Sequence, residues 1–187
     1  MIRPPSAITV ARVHATEISL NWRWLPVMAL GTWLLAQAIL PARFPTWELG
    51  TTWITSAAAV LASEAALILH ELSHALVARW HGQQVIRIVF RGLLAETIVG
   101  DGLPGPSQVV VIAMAGPATN VALVGLAVLW RVAFASQGPL DVFLLMLIVG
   151  NAAAAAMSLV PLGSSDGARA LNALNLVRSS GSRSTPG

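Results

Sequence analysis

The sequence contains no cysteine and no lysine, and only 10% of its 187 residues are charged. Without cysteine there is no disulfide framework and no thiolate ligand, so a bound metal would have to use histidine and carboxylate. Soluble domains carry about 25% charged residues, so this composition excludes an ordinary soluble fold. The net charge of +3 comes entirely from arginine. Arginines beside membrane spans explain that charge better than binding to nucleic acid, which we do not expect as a partner.

Long apolar runs take up most of the chain. Hydrophobic residues make up 56% of it, and the mean hydropathy is +0.72. The runs recur along the sequence and are long enough to cross a bilayer, unlike a single signal sequence. We therefore expect an all-α polytopic membrane protein with one domain, residues 1–178, and a flexible tail at 179–187. The four predicted spans are 25–40, 51–80, 109–134 and 140–160, followed by a short helix at about 166–178.

Alternation of apolar and polar residues adds a small β-structure to this helical chain. Segments 8–14 and 17–22 alternate imperfectly, which indicates a short hairpin at the membrane surface. Segments 85–90 and 93–99 are typical of two strands joined by a tight turn at Arg91-Gly92. The fold class is thus about four transmembrane helices with a small membrane-associated hairpin or sheet.

The distribution of arginines predicts an orientation. With the N-terminus inside, nine of the eleven arginines lie on the inner side, and only Arg43 and Arg131 lie on the outer side. The positive-inside rule then places both termini in the cytoplasm. We expect the membrane to be a bacterial plasma membrane, with the lipid bilayer as a direct partner of the chain.

The most informative stretch is His70-Glu71-Leu72-Ser73-His74, an HExxH sequence inside the second span. Two histidines four residues apart lie on one face of a helix, so both imidazoles can reach one metal ion. Neutral imidazole is a good Zn²⁺ ligand, and a glutamate beside it can serve as a general base. A helix that merely carries two hydrogen-bonded histidines is the alternative. The predicted orientation puts the pair in the cytoplasmic half of the bilayer.

Two histidines and a water leave a zinc site one protein ligand short. Asp166 is the preferred third ligand, because it follows the fourth span on the side of the membrane where the histidines lie. Pro161 and two nearby glycines allow the chain to bend back towards a metal. Glu96 and Asp101 are the alternatives. Asp166 could instead be the N-cap of the helix that follows it.

Three motifs in this order resemble those of the site-2 protease family of intramembrane zinc metalloproteases. HELSH matches the family's HExxH, and Gly-Pro-Ala-Thr-Asn at 116–120 resembles its GPxxN. Pro161 to Gly167 matches the end of its NxxPxxxxDG, and the strand segment resembles its membrane-associated sheet. The chain departs from the pattern where the family's Asn falls on Ser158, and where Leu-Asp-Gly-Gly becomes Ser-Asp-Gly-Ala at 165–168.

The resemblance implies a compact zinc metalloendopeptidase, without PDZ or CBS domains, that cleaves membrane proteins within or near their transmembrane segments. It implies one Zn²⁺ per chain on His70, His74 and Asp166, with Glu71 as the catalytic base. Its partners would be a transmembrane or membrane-anchored substrate and a regulatory protein. An edge strand at 93–99 could pair with an unwound substrate. The candidates for substrate or oxyanion contact are Asn120, Ser158, Leu93, Leu94, Ala95, Glu96 and Thr97.

Other functions and other roles for single residues stay open at this point. A catalytically silent zinc-binding scaffold is the main alternative function, although it would not need the base Glu71. A metal transporter is disfavoured, because two histidines and a carboxylate beside a glutamate form a hydrolytic arrangement. Asn120 and Glu64 each allow a functional role or a hydrogen bond between helices, and Asn151 is interpreted as a helix–helix contact.

Overall fold

The computed structural model describes residues 7–13, 16–22, 24–90, 95–99, 104–135 and 137–181. Four helical segments in this part of the chain are long and apolar enough to cross a membrane: Trp24–Arg43, Leu49–Trp80, Pro106–Phe134 and Gly138–Leu159. Each predicted span coincides with one of them. The predicted class, an all-α polytopic membrane protein with a small sheet, is confirmed.

The first span is built from three helical pieces. Helix α1 covers Trp24–Leu34, a π-helix covers Leu35–Ile39, and α2 covers Leu40–Arg43. The wider π-turn comes directly before Pro41, whose ring nitrogen has no hydrogen to donate. The backbone N–H of Leu40 bonds to the carbonyl of Leu35 across this turn. The predicted first span ended at residue 40, but the helix continues past Pro41 for two residues.

The second, third and fourth spans are single helices. Helix α3 covers Leu49–Trp80, α4 covers Pro106–Phe134 and α5 covers Gly138–Leu159. Helix α4 continues through Pro117, which is buried within the bundle. Proline is tolerated inside membrane helices. The last helix, α6, covers Asp166–Gly181 and packs along α4. It extends three residues into the predicted tail at 179–187, and residues 182–187 lie outside the described part.

The two predicted hairpins are present and join into one sheet. Strands β1 (Ala7–Val13) and β2 (Thr16–Asn21) are antiparallel, as are β3 (Val85–Phe90) and β4 (Ala95–Val99). Strand β2 pairs with β3 in parallel, with Ile18 opposite Ile88. The strand order is therefore β1-β2-β3-β4, which leaves β4 at one edge. Both β3 and β4 contact α3, so the sheet lies against the helix that carries HELSH.

Small residues bring the spans close together, and a few polar pairs connect them. Ala59, Ala66, Ala75 and Ala78 are buried along α3, which suits close contact between helices in a membrane. The indole N–H of Trp24 donates to a carboxylate oxygen of Glu64 over 2.8 Å. Glu64 thus makes the predicted hydrogen bond between helices, from α3 to α1. At the other end of the bundle, Arg131 and Asp141 form a two-pronged ion pair between α4 and α5.

Candidate metal centre

The two histidines of HELSH point the same ring nitrogen at one spot. His70 and His74 are one turn apart on α3, and both are buried. Their Nε2 atoms are 3.1 Å apart, and the rings meet edge to face. Two imidazole nitrogens this close need a proton between them or a shared cation, because their lone pairs would otherwise repel.

Asp166 completes a triangle with these nitrogens. One of its carboxylate oxygens, Oδ2, lies 3.3 Å from His70 Nε2 and 3.4 Å from His74 Nε2. Burial raises the pKa of Asp166, but hydrogen bonds donated by the protonated forms of His70 and His74 outweigh it and hold the pKa below its usual range. The group is therefore an ionised carboxylate at neutral pH. Of the three candidates for the third donor, Asp166 is the one that the structure places at the histidines. The other two candidates are Glu96 and Asp101, and the structure does not describe their side chains.

Ser165 caps the helix that begins at Asp166, so the Asp166 side chain can face the histidines. Helix α6 begins at Asp166, and Ser165 occupies the capping position before it. The Ser165 hydroxyl accepts the backbone N–H of Ala168 over 3.2 Å and donates to the carbonyl of Val160 over 2.6 Å. Ser165 is thus the N-cap, and the alternative in which Asp166 caps the helix is wrong. The carboxylate of Asp166 remains available because the neighbouring hydroxyl satisfies the helix end.

The link between α5 and α6 is tight because two glycines permit it. Gly163 has a φ of 58°, a left-handed conformation that glycine adopts without strain. Gly167 packs directly on the backbone of Leu159, where a Cβ would overlap the carbonyl group. The close approach holds the first turn of α6 against the end of α5. It thereby fixes the position from which Asp166 reaches the histidines.

The second nitrogen of each imidazole is held by α4. His74 Nδ1 lies 2.7 Å from the carbonyl oxygen of Ile112. A carbonyl only accepts, so this Nδ1 carries the proton and its Nε2 presents a lone pair. His70 Nδ1 lies 3.1 Å from the side-chain amide of Asn120, which is 2% exposed. The amide nitrogen Nδ2 faces this ring nitrogen and donates to it. A turn of the amide by about 180° would present its oxygen instead and give His70 the same tautomer as His74.

Glu71 stands beside the converging donors. A carboxylate oxygen of Glu71 and one nitrogen from each histidine all lie within 4.8 Å of one another. Its side chain is partly accessible, unlike that of His70 or His74. A carboxylate in this place can exchange a proton with a molecule bound next to the histidines.

The donor set fits a tetrahedral zinc ion. Bonds of about 2.0–2.1 Å place tetrahedral ligands about 3.3–3.4 Å apart, and the three donor atoms here are 3.1, 3.3 and 3.4 Å apart. Gly116 keeps the centre of the triangle clear. A Cβ on Gly116 would lie 2.3 and 2.4 Å from the two Nε2 atoms, about where an ion would be bound. Two neutral imidazoles and a carboxylate also match the ligand preferences of zinc.

Among the other predicted site residues, the structure describes no side-chain contact with this centre. The Ser158 hydroxyl donates to the carbonyl of Ala155, in its own helix. Ala95, Glu96 and Thr97 lie in edge strand β4, opposite Phe90, Val89 and Ile88. Leu93 and Leu94 lie outside the described residues.

Sequence reasoning missed Gly116 as the residue that makes room between the histidines. The GPxxN resemblance named this glycine but gave it no role. It also missed Ser165, although serine is a preferred N-cap and stands directly before Asp166. The carbonyl of Ile112 leaves no trace in the sequence, because any residue at that position would provide one.

Comparisons with known proteins agree with this arrangement. No family model matches the chain. It is 32% identical over 117 residues to "Putative zinc metalloprotease Rip3" of Mycobacterium tuberculosis, and 32% identical over 118 residues to "Putative zinc metalloprotease sll0528" of Synechocystis sp.. These matches cover 63% and 62% of this chain, but only 30% of the length of each relative.

A solved structure shares the fold. The site-2 protease from Methanocaldococcus jannaschii matches 90% of this chain and 71% of its own, with a TM-score of 0.58 and 18% identity. The four apolar helices and the shared fold support an integral membrane protein, and the sequence relatives are named putative zinc metalloproteases. The fold is that of a site-2 protease, the family whose motifs the sequence resembles.

Proposed function

We propose that this chain is an intramembrane zinc metalloprotease that hydrolyses peptide bonds within or near the transmembrane segments of membrane proteins. The observation that carries the proposal is the convergence of two imidazoles from an apolar span with the carboxylate of Asp166, beside Glu71. Ionisable groups are rare inside spans and mark functional sites. Three of them within two turns of one span, with Asp166 facing them, are hard to explain as packing alone.

His70, His74 and Asp166 would hold one Zn²⁺ per chain. Bound zinc would polarise the scissile carbonyl and lower the pKa of the attacking water. The carbonyl of Ile112 and the amide of Asn120 hold Nδ1 of the two rings, so that both Nε2 atoms face the centre. Asn120 is therefore a positioning residue in this proposal, rather than a donor to an oxyanion.

Glu71 would serve as the general base and then as the general acid. Its carboxylate takes a proton from the water nucleophile and delivers it to the leaving amine. It needs to reach a molecule that lies next to the histidines, and its oxygen within 4.8 Å of them meets that need. A purely structural metal site would gain nothing from such a group.

The edge of the sheet would hold the substrate. A transmembrane helix hides its peptide groups in i→i−4 hydrogen bonds, so it must unwind before hydrolysis. Strand β4 (Ala95–Val99) has β3 on one side only within the described sheet, and it contacts α3. An unwound segment can pair with its other side through backbone hydrogen bonds. We place both termini in the cytoplasm and the site in the cytoplasmic half of a bacterial plasma membrane, as the arginine distribution predicts.

The test combines metal analysis of the purified protein with cleavage of a co-expressed reporter that carries a transmembrane segment. Wild type should bind one zinc and cleave the reporter. Glu71→Gln should keep its zinc and lose cleavage by a factor of about 10²–10⁴, since the residue transfers protons and does not bind the metal. Asp166→Ala should lose both.

Other outcomes would reassign the site. Loss of zinc in Glu71→Gln would make this residue a metal ligand. Full zinc and full activity in Asp166→Ala would move the third ligand elsewhere. Zinc binding by wild type without cleavage of any membrane reporter would favour the silent scaffold.

A further inference from the structure

A lateral cleft of about 340 Å³ lies among helices α3, α4 and α5, on the far side of the histidines from the α5–α6 link. Each helix lines the cleft with residues that are three or four positions apart and so form one stripe along its surface. The stripe on α3 runs from Ala62 to Leu69, and the stripe on α4 runs from Leu123 to Trp130. Each covers about two turns, or about 10 Å along the helix axis. The cleft is thus shaped to accept side chains from an element that lies along the bundle.

One end of the cleft meets the candidate metal centre. Leu69 directly precedes His70, and Leu123 is one turn beyond Asn120. At the other end, Trp130 directly precedes Arg131, which is paired with Asp141. The cleft therefore begins beside the site and continues through the apolar span towards the end of the bundle that holds this ion pair.

The cleft opens to the surroundings of the bundle rather than to its core. Its rim residues Leu69, Leu126 and Trp130 are 46%, 64% and 49% exposed. All of them lie within the membrane spans, so whatever enters the cleft comes from the bilayer. The occupants available there are an acyl chain, a second copy of this chain, and the transmembrane helix of another protein.

The side chain of Asn151, on the floor of the cleft, indicates which of these occupants fits best. It is 4% exposed, and its side-chain N–H donates to the carbonyl of Leu147 in the same helix over 2.9 Å. The donor of Asn151 therefore bonds within α5 and not to a neighbouring helix. Because a carbonyl only accepts, the amide orientation is fixed, and the Asn151 oxygen is left with no hydrogen-bond partner among the described residues.

An unpaired amide oxygen in an apolar cleft favours an occupant that brings a donor. An acyl chain has no donor, whereas serine, threonine or glutamine on a transmembrane helix has one. Ala62, Ala65, Ala66 and Ala127 give the cleft the small-residue surface against which membrane helices pack closely. Because the cleft begins beside the metal centre, a helix that is about to be cleaved is a better occupant than an unrelated helix.

We propose that this cleft docks the still-helical part of a transmembrane substrate that carries a hydroxyl or amide side chain, with Asn151 accepting its hydrogen bond. The inference rests on the proposed protease function and names a recognition element for it. Strand β4 would hold the unwound part of the same substrate, so the cleft and the strand act on successive segments.

Cross-linking tests the docking without requiring cleavage, because the natural chain has no cysteine. Single cysteines at Ala65 and Leu126 are introduced into Glu71→Gln, together with a reporter that has single cysteines along its transmembrane segment. Oxidation should link both cleft positions to the reporter, at reporter positions spaced three or four residues apart. The matched control is Val121→Cys, which is on α4, 60% exposed and outside the cleft; it should not link.

The hydrogen bond is tested with Asn151→Leu in the active chain. For a reporter with a threonine facing the cleft, cleavage should fall about 3- to 20-fold, the range of hydrogen bonds measured within membranes. A reporter with valine at that position should show no such fall, because valine has no donor to lose. Zinc content should be unchanged in the variant, since Asn151 does not contact the metal centre.

Two outcomes overturn the docking proposal and identify a different occupant. Links between two copies of the chain would make the cleft a dimer interface. A phospholipid that copurifies with wild type and is lost in Ala65→Trp, without reporter links, would make it a lipid site. Reporter cleavage and zinc binding without links at Ala65 or Leu126 would refute the docking and leave the protease function standing. Links without zinc or cleavage would refute only the protease function.

Discussion

At the scale of single residues, Gly116 determines whether an ion can enter between the histidines. Gly116→Ala should abolish zinc binding, because the added methyl group would take the place of the ion. The matched control is Gly125→Ala in the same helix, where a Cβ meets nothing within 4 Å. Zinc per chain and helix content by circular dichroism are measured for both. Zinc in Gly116→Ala at the wild-type level, with the fold intact, would show that the ion is bound elsewhere.

Asn120 offers a second residue-scale test, since its two interpretations predict different measurements. If the amide orients His70, Asn120→Ala should weaken zinc binding by a factor of about 10–100, as loss of such a partner does in other zinc sites. If it instead stabilises an oxyanion, zinc affinity should stay unchanged and only the turnover number should fall. Zinc titration with a competing chelator, followed by kinetics at saturating zinc, separates the two.

Residue identity alone could not show which carboxylate and which ring nitrogens face the metal centre. HELSH and its spacing predicted the two imidazoles on one helical face, and the fold agrees. The third donor remained one of three carboxylates, because the choice depends on how α5 turns into α6. Which ring nitrogen faces the centre depends on the carbonyl of Ile112, and a backbone group has no sequence signature.

At the scale of elements, the N-terminus of α6 carries Asp166 and depends on Ser165. Ser165→Ala removes the cap and its bond to Val160, which should destabilise the helix start by about 0.5–2 kcal/mol. Zinc affinity should fall with it, because Asp166 loses its fixed position. Ser165→Thr should keep most of both, since threonine also caps helices.

The control for the cap is Ser164→Ala, at the exposed serine one position earlier. It should leave zinc affinity and thermal stability close to wild type. Equal zinc affinity in Ser165→Ala and Ser164→Ala would mean that Gly167 and Leu159 alone hold the helix start in place.

The two edges of strand β4 have different expected roles, because one pairs with β3 and the other would pair with the substrate. Proline substitutions distinguish these roles. Proline substitutions through Ala95–Val99 each remove one backbone N–H. Where that N–H faces outward, reporter cleavage should drop severely while zinc content stays unchanged. Valine substitutions at the same positions should be mild, because pairing depends on the backbone. Equal reporter cleavage by the proline and valine variants would mean that the strand does not pair with the substrate and only covers the membrane surface.

The elements themselves were largely predictable from the sequence, and their partners were not. Apolar run length defined the four spans, and alternation located all four strands. The parallel pairing of β2 with β3 was missed, because residues such as Ile18 and Ile88 are 70 positions apart and local patterns carry no register over that distance. Asn151 was interpreted as a helix–helix contact, and that its donor bonds within its own helix could not be predicted, since a sequence does not show which acceptor lies nearer.

At the scale of the whole molecule, orientation in the bilayer is the largest open prediction. The arginine distribution predicts that single cysteines at Ser6 and Ser179 react only from the cytoplasmic side. Cysteines at Thr46 and Gln137, exposed positions in the links between spans, should react only from the outside. Impermeant maleimide applied to intact cells and to inverted vesicles measures both. Outside labelling at Ser179 would reverse the assigned depth of the site.

The parallel pair β2–β3 also has a consequence for biosynthesis. The ribosome releases Ile18 long before Ile88, and both of the first two spans lie between them. At about 5–20 residues per second, the N-terminal hairpin waits about 4–14 s for its neighbour in the sheet. During that interval one edge of β2 is unpaired and open to other chains. A chaperone or the translocation machinery that shields the nascent N-terminus would therefore matter most before the second span is inserted.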